Sequence, residues 1–174
     1  MLNEKDDKVR ALNTILIAGA VAGALDLTDA CVYAYMKAQM LPQDVFRVVA
    51  SGLLGKASFA GGALSASLGV VLHFIMATMA AAFFYFAARA VPLLTKHPIP
   101  IGLLYGFAFY GLMTFVVVPL SAVPMRRPPH MEWNGLFTHT VLFGLPIALI
   151  VRQGLKQSLT RLSSDTLQAH PTRR

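Results

Sequence analysis

The fold is decided by residues 62–90, which read GALSASLGVVLHFIMATMAAAFFYFAARA. Only His73 and Arg89 in this stretch are basic, and none of its residues is acidic. A helix needs about 20 apolar residues to cross the ~30 Å hydrocarbon layer of a membrane. The stretch is therefore long enough to span a membrane, with residues to spare for tilting or for protruding at one end.

Three further apolar stretches, at residues 11–35, 99–120 and 133–151, have the same character. Of the 174 residues, 56% are hydrophobic and 13% are charged. Soluble domains are about 45–50% apolar and about 25% charged. The sequence therefore predicts an all-α integral membrane protein, a four-helix bundle formed by residues 1–152, with no room for a second domain.

Two segments outside the spans have an amphipathic pattern. In residues 42–59, which follow the first span, Val45, Phe46, Val49 and Leu53 share one helical face, and Pro42 suits a helix start. This pattern predicts an additional interfacial helix in the first outer loop. Residues 153–174 combine leucines at helical spacing with basic residues, which predicts a basic amphipathic tail on the cytoplasmic leaflet.

The net charge of +7 comes from tails and loops, not from one continuous patch. With four spans, ten Lys and Arg residues fall on the side that holds both termini, and five fall on the other side. Cytoplasmic segments are enriched in Lys and Arg, so the distribution predicts that both termini are cytoplasmic. It also favours contact with anionic lipid over a nucleic-acid partner.

Small residues mark the faces on which the four helices are expected to pack, because lipid supplies no hydrophobic drive for their association. Ionisable residues lie on the same stripes of small residues in three of the spans. Both signals therefore orient the ionisable groups toward the bundle interior. The packing glycines are Gly19 and Gly23, Gly69, Gly102 and Gly106, and Gly135; the ionisable residues are Asp26 and Asp29, His73, and His139.

An ionisable group inside a membrane is costly and usually has a partner and a function. We expect Asp26 to pair with His73 or His139, in a centre that exchanges protons near neutral pH. Asp29 either joins this centre or contacts water at the outer end of its span. Tyr105 and Asn134 complete the set of candidate residues for a proton or substrate site.

Other interpretations of the histidines remain open. Each could simply form a hydrogen bond to a neighbouring helix. His73 and His139 could ligate a haem b iron from two helices, or bind a metal ion together with Asp26 and Asp29. The sequence lacks closely spaced ligand pairs and a haem attachment motif, so we predict no cofactor.

The residues exclude several other classes of chemistry. Cys31 is the single cysteine, which rules out an internal disulfide. No Ser/His/Asp arrangement and no phosphate-binding glycine loop is present, so we predict that the protein is not an enzyme.

A resemblance follows from residues in the last three spans. Leu72-His73-Phe74, Gly102-Leu103-Leu104-Tyr105-Gly106, Val118-Pro119-Leu120-Ser121, Asn134-Gly135 with His139, and Gly144-Leu145-Pro146 form the pattern. It resembles a group of small bacterial inner-membrane proteins and, more distantly, the YagU-like family, over residues 15–152. The resemblance implies a four-span protein of the bacterial inner membrane and implies no particular activity.

The expected function is therefore small-solute or proton-linked transport through a buried Asp/His centre. One alternative is a non-catalytic subunit that docks in a larger membrane complex or in a homo-oligomer through its glycine stripes. Another is a haem- or metal-binding membrane protein.

Overall fold

The computed structural model describes residues 2–124, 128 and 130–169, with side chains described for residues 5–124, 128 and 130–157. Every regular element in these ranges is helical, which confirms the predicted all-α class. Four helical segments are long and apolar enough to cross a membrane: Lys5–Ala38, Gly62–Ala90, Pro98–Leu120 and Trp133–Gln157. The protein is thus a multi-pass membrane protein with a four-helix bundle.

Two of the spans are single α-helices and two are composite. The first span belongs to α1 (Leu2–Ala38), and the second is α3 (Gly62–Ala90). A short helix, α4 (Leu93–Lys96), leads into the third span, which consists of α5 (Pro98–Leu112), a first π segment (Met113–Val117) and α6 (Val118–Leu120). The fourth consists of α7 (Trp133–Phe137), a second π segment (Thr138–Gly144) and α8 (Leu145–Ala169).

A proline explains the position of each π segment. Pro119 and Pro146 each lie two residues beyond the end of a π segment. Proline has no N–H, and its ring clashes with the carbonyl four residues earlier, here that of Phe115 or Leu142. Both carbonyls lie inside the π segments, so the wider helical turn forms where the α-helical hydrogen bond is missing.

The bundle interior holds many small residues, and many of the large apolar residues face outward. Ala18, Ala22, Ala81 and Ala148 are completely or almost completely buried. Leu64, Leu120 and Trp133 are more than four-fifths exposed. This distribution suits a bilayer, where close backbone packing associates the helices and large apolar side chains contact lipid.

Antiparallel packing of α1 against α3 defines two ends of the bundle. Asp7 forms an ion pair with Arg89, with 3.1 Å between Oδ2 and Nη2, at the tail end, which comprises residues 2–10, 91–97 and 152–169. At the site end, which comprises residues 38–61, 121–124 and 130–132, α1 ends and α3 begins. Between them Gly19 abuts the backbone of Thr78, and Gly23 abuts Ala77 and Phe74.

In the predicted interfacial segment, α2 (Pro42–Leu54) is followed by a 3-10 helix (Gly55–Ala60). The backbone of α2 crosses α3 at Gly69, where a Cβ atom would overlap the carbonyl of Phe46. Gly69 lies about 10 Å along α3 from its first residue. Helix α2 therefore packs against the side of the bundle, nearer to the bundle centre than the first residue of α3.

Polar contacts fix α2 at both of its ends. The Arg47 side chain donates to Asp44 Oδ1 at 2.9 Å and to the Gly62 carbonyl at 3.3 Å. Near the other end the Ala122 N–H donates to the Gly52 carbonyl at 3.0 Å. The segment after the first span is thus tied to α3 and to the end of the third span.

No interruption of the helix separates the predicted tail from the fourth span in the described residues. Helix α8 continues from the membrane-spanning part to Ala169, and residues 170–174 lie outside the described residues. Pro124, Pro128 and Pro129 predict that the loop at residues 121–132 is extended, because proline fixes the backbone and removes N–H donors. Ser121 has extended backbone angles, while residues 125–127 and 129 of this loop also lie outside the described part.

Candidate functional site

The structure brings Asp26, His73 and His139 together inside the bundle. Oδ2 of Asp26 lies 3.8 Å from Nε2 of His73, and Oδ1 of Asp26 lies 3.6 Å from Nδ1 of His139. The three side chains are 13%, 14% and 20% exposed, respectively. Asp26 is about 18 Å along α1 from the helix end at Ala38, so the group lies deep in the membrane-spanning part. We call these three residues the Asp26 group.

Backbone carbonyls fix which ring nitrogen of each histidine carries a hydrogen. Nε2 of His73 lies 2.9 Å from the carbonyl oxygen of Gly23, and Nδ1 of His139 lies 2.9 Å from that of Gly135. A carbonyl only accepts, so both nitrogens donate. A neutral His73 is therefore the Nε2–H tautomer and a neutral His139 the Nδ1–H tautomer.

The same two N–H groups face the Asp26 carboxyl group at slightly more than hydrogen-bond distance. Oδ1 of Asp26 is buried and has no hydrogen-bond partner among the described residues. A buried polar atom without a partner is costly and is often found at functional positions. A shift of less than 1 Å by either imidazole would provide Asp26 with a hydrogen bond.

A second polar cluster lies nearer to the site end. Asp29 Oδ2 accepts hydrogen bonds from Nδ2 of Asn134, at 2.8 Å, and from the hydroxyl group of Thr138. We call these residues the Asp29 cluster. Asn134 and Thr138 precede His139 in the sequence, which makes both of them available as its hydrogen-bond partners. They lie one turn apart on the helix face toward α1 and bind Asp29 instead.

Aromatic rings enclose His139. Its ring centroid lies 6.2 Å from that of Phe109, 5.3 Å from that of Tyr110 and 5.8 Å from that of Phe143. These rings form an aromatic wall beside the imidazole. Tyr110 was not among the predicted site residues, although it continues the glycine row of its helix.

The two tyrosines of α5 bond to backbone groups, outside the Asp26 group. The hydroxyl group of Tyr105, a predicted site residue, donates to the Ala80 carbonyl at 2.8 Å. That of Tyr110 accepts from the Glu132 N–H at 2.7 Å and lies 3.2 Å from the Glu132 carbonyl. Tyr105 therefore links α5 to α3, and Tyr110 anchors the start of the fourth span.

The second π segment carries both Thr138 and His139. A Cβ atom on Gly106 would overlap the carbonyl of His139, and one on Gly144 would overlap the backbone of Gly102. The widened backbone thus packs directly on the two predicted packing glycines of α5. Gly135, the predicted packing glycine of the fourth span, lies against the ring of Tyr110.

Toward the tail end, the interior below the Asp26 group is apolar. This closing layer contains no charged residue, and Tyr85 is its only polar-tipped member. It consists of Ile15, Ala18, Ala22, Ala77, Ala80, Ala81, Phe84, Tyr85, Ala88, Phe143, Ile147, Ala148 and Val151. The polar Asp29 cluster, in contrast, lies on the side of Asp26 that faces the site end.

Within the described part of the chain, no three His, Cys, Asp or Glu residues are arranged to hold a metal ion. The ring nitrogens that face Asp26 are the ones that carry hydrogen, so their lone pairs are not directed at a common point. The arrangement suits proton exchange between a carboxyl group and two imidazoles.

Comparisons with known proteins add no relative to this description. No protein-family model, no curated protein and no solved structure matches the chain.

Proposed function

We propose that this protein transports protons, alone or together with a small solute, by protonation and deprotonation of the Asp26 group. The observation that carries the proposal is the position of Asp26 between two imidazole N–H groups, with one carboxyl oxygen lacking a hydrogen bond among the described residues. Ionisable residues inside membrane spans characteristically mark ion pathways and proton relays.

The separations support transfer of a proton with little movement. Distances of 3.6 and 3.8 Å exceed the 2.7–3.2 Å of an N–H···O hydrogen bond by less than about 1 Å. A protonated imidazole can pass the proton on the nitrogen that faces Asp26 to the Asp26 carboxylate after a small displacement of a side chain, and it keeps the hydrogen on its other nitrogen.

The environment of Asp26 differs between its two sides: it is polar toward the site end and apolar toward the tail end. The Asp29 cluster offers exchangeable hydrogen bonds toward the site end, and the apolar layer separates Asp26 from the tail end. Net transport requires that this apolar layer open. The second π segment links the layer to the site, because it contributes Phe143 to the layer and His139 to the Asp26 group.

The experiment is proton flux into liposomes that contain the purified protein and a trapped pH-sensitive dye, driven by a potassium diffusion potential. We expect Asp26→Asn to abolish flux above that of empty liposomes. The matched control is Asp44→Asn, which neutralises a carboxylate that is paired with Arg47 at the edge of the bundle. Equal flux for Asp26→Asn and the wild type would refute the proposal.

We further propose that the membrane is the bacterial inner membrane and that both termini are cytoplasmic. The excess of Lys and Arg on the side of the termini supports this orientation, and the resemblance to bacterial inner-membrane proteins supports the compartment. Protease treatment of spheroplasts tests it, because a C-terminal epitope tag should be cleaved only after the cells are lysed.

A further inference from the structure

At the tail end, far from the Asp26 group, α1 and α8 form an open cavity of about 490 Å³. Seven residues line it: Arg10, Asn13, Thr14, Ile17, Gly154, Lys156 and Gln157. Two of them are cationic, three carry uncharged hydrogen-bonding side chains, and none is acidic. This combination of charge and hydrogen-bonding groups is that of an anion site.

Close packing of the two helices builds the cavity. A Cβ atom on Gly154 would overlap the side chain of Thr14, so the helices touch at this point and diverge beside it. The cavity is therefore a feature of a fixed helix crossing. Its polar groups come from both helices, with Arg10 and Asn13 on α1 and Lys156 and Gln157 on α8.

The cavity lies where both helices change from apolar to basic. On α1, Arg10 is followed by the apolar run that begins at Ala11, and on α8 the apolar run ends at Val151, followed by Arg152. Ile17 lines the cavity two turns further into the membrane-spanning part than Arg10. In a bilayer whose hydrocarbon layer matches the apolar runs, the cationic part of the cavity would lie level with the lipid headgroups, and Ile17 would lie level with the start of the acyl chains.

Arg152 adds to the positive charge of this region. It lies one turn before Lys156 on α8, and its Nε atom is buried with no hydrogen-bond partner in the described ranges. It does not line the cavity, so it contributes through its charge.

We propose that this cavity binds a phosphate group, as the headgroup of an anionic phospholipid or as a free phosphate ester. The two cations would pair with the phosphate oxygens, and Asn13, Thr14 and Gln157 would donate hydrogen bonds to the phosphate or to a headgroup glycerol. Basic pockets between membrane helices at headgroup level are suited to such ligands. The site is independent of the proposed proton transport.

The test is ligand binding by the full chain in mild detergent, followed by native mass spectrometry and by thermal shift. The probes are phosphatidylglycerol, phosphatidylcholine and inorganic phosphate. We expect phosphatidylglycerol to bind, and the double variant Arg10→Gln/Lys156→Gln to bind it about 30-fold more weakly, since each cation near an anionic headgroup is worth about a fivefold change in affinity. Saturation by inorganic phosphate with the same dependence on Arg10 and Lys156 would identify a soluble phosphate ligand instead of a lipid.

The matched control is Lys96→Gln, which removes one exposed cation at the same end of the bundle, outside the cavity. We expect this variant to bind as the wild type does. Binding that is insensitive to the double variant, or that falls equally in Lys96→Gln, would overturn the proposal. A double variant that fails to fold would show no cooperative melting, and the single variants Arg10→Lys and Lys156→Arg, which keep the charge, would then have to retain binding.

Discussion

The carbonyl oxygen of His139 lies directly against the α-carbon of Gly106. The contact joins the second π segment to α5 at the level of the Asp26 group, and it leaves no room for a side chain at residue 106.

Gly106→Ala should therefore be strongly destabilising. The added methyl group would force the backbones apart, an effect that typically costs about 1–3 kcal/mol. Gly111→Ala is the matched control on the same helix, because nothing lies within 4 Å of a Cβ atom built at Gly111. Thermal unfolding in detergent should show a lower Tm for the first variant and an unchanged or higher one for the second. Equal effects would contradict the packing described here.

Removing the charge of Asp26 and removing that of Asp29 should have different effects on the stability of the protein. Asp26→Asn should not lower the Tm, because it replaces a buried carboxyl group that has an oxygen without a described partner. Asp29→Leu should cost about 1–3 kcal/mol, because the Asn134 side-chain amide loses its acceptor, while the Thr138 hydroxyl group can still donate to the Asn134 carbonyl at 2.7 Å. Denaturation curves of both variants provide the comparison. A large loss of stability in Asp26→Asn would show that Asp26 is structural.

The two buried histidines should be different tautomers when neutral. His73 donates from Nε2 and His139 from Nδ1. Nitrogen-15 NMR of histidine-labelled protein at high pH should show one buried ring of each kind, with assignment by His73→Gln and His139→Gln. Two rings of the same tautomer would require a different hydrogen-bonding arrangement.

Gly69→Ala should loosen α2 from the bundle, because the methyl group would overlap the carbonyl of Phe46. Hydrogen–deuterium exchange of residues 42–54 should increase, while exchange of α1 and α5 should change little. Gly52→Ala is the control, since its Cβ atom would make ordinary contacts of 3.9 and 4.0 Å. Unchanged exchange in Gly69→Ala would mean that α2 is held elsewhere.

The length of the apolar runs was enough to predict four membrane-spanning helices, because hydrocarbon thickness sets a minimum helix length. The stripes of glycine and alanine also indicated inward faces for Asp26, His73 and His139, and the structure places them on such faces. The side chains that contact each site residue were harder to predict from the sequence. Adjacent residues point in different directions around a helix, so Thr138 donates to Asp29 whereas His139 faces Asp26.

The π segments and the position of Tyr105 could not be predicted from periodicity. Pro119 and Pro146 are visible in the sequence, but a proline can kink, break or widen a helix, and the packing of neighbouring helices selects among these outcomes. The Tyr105 hydroxyl group reaches the Ala80 carbonyl because α5 and α3 approach closely there, a relation between segments that no local pattern encodes.

The second π segment has a mechanical consequence. A wide turn holds one residue more than the α-helical turn that it replaces, and this surplus residue can be passed along the helix without unfolding it. If the segment tightened to α-helix, everything before it, including Trp133 at the membrane boundary, would turn by about 100° relative to α8. The part of the fourth span before the second π segment could therefore rotate relative to α8, and His139 lies within the segment that would change.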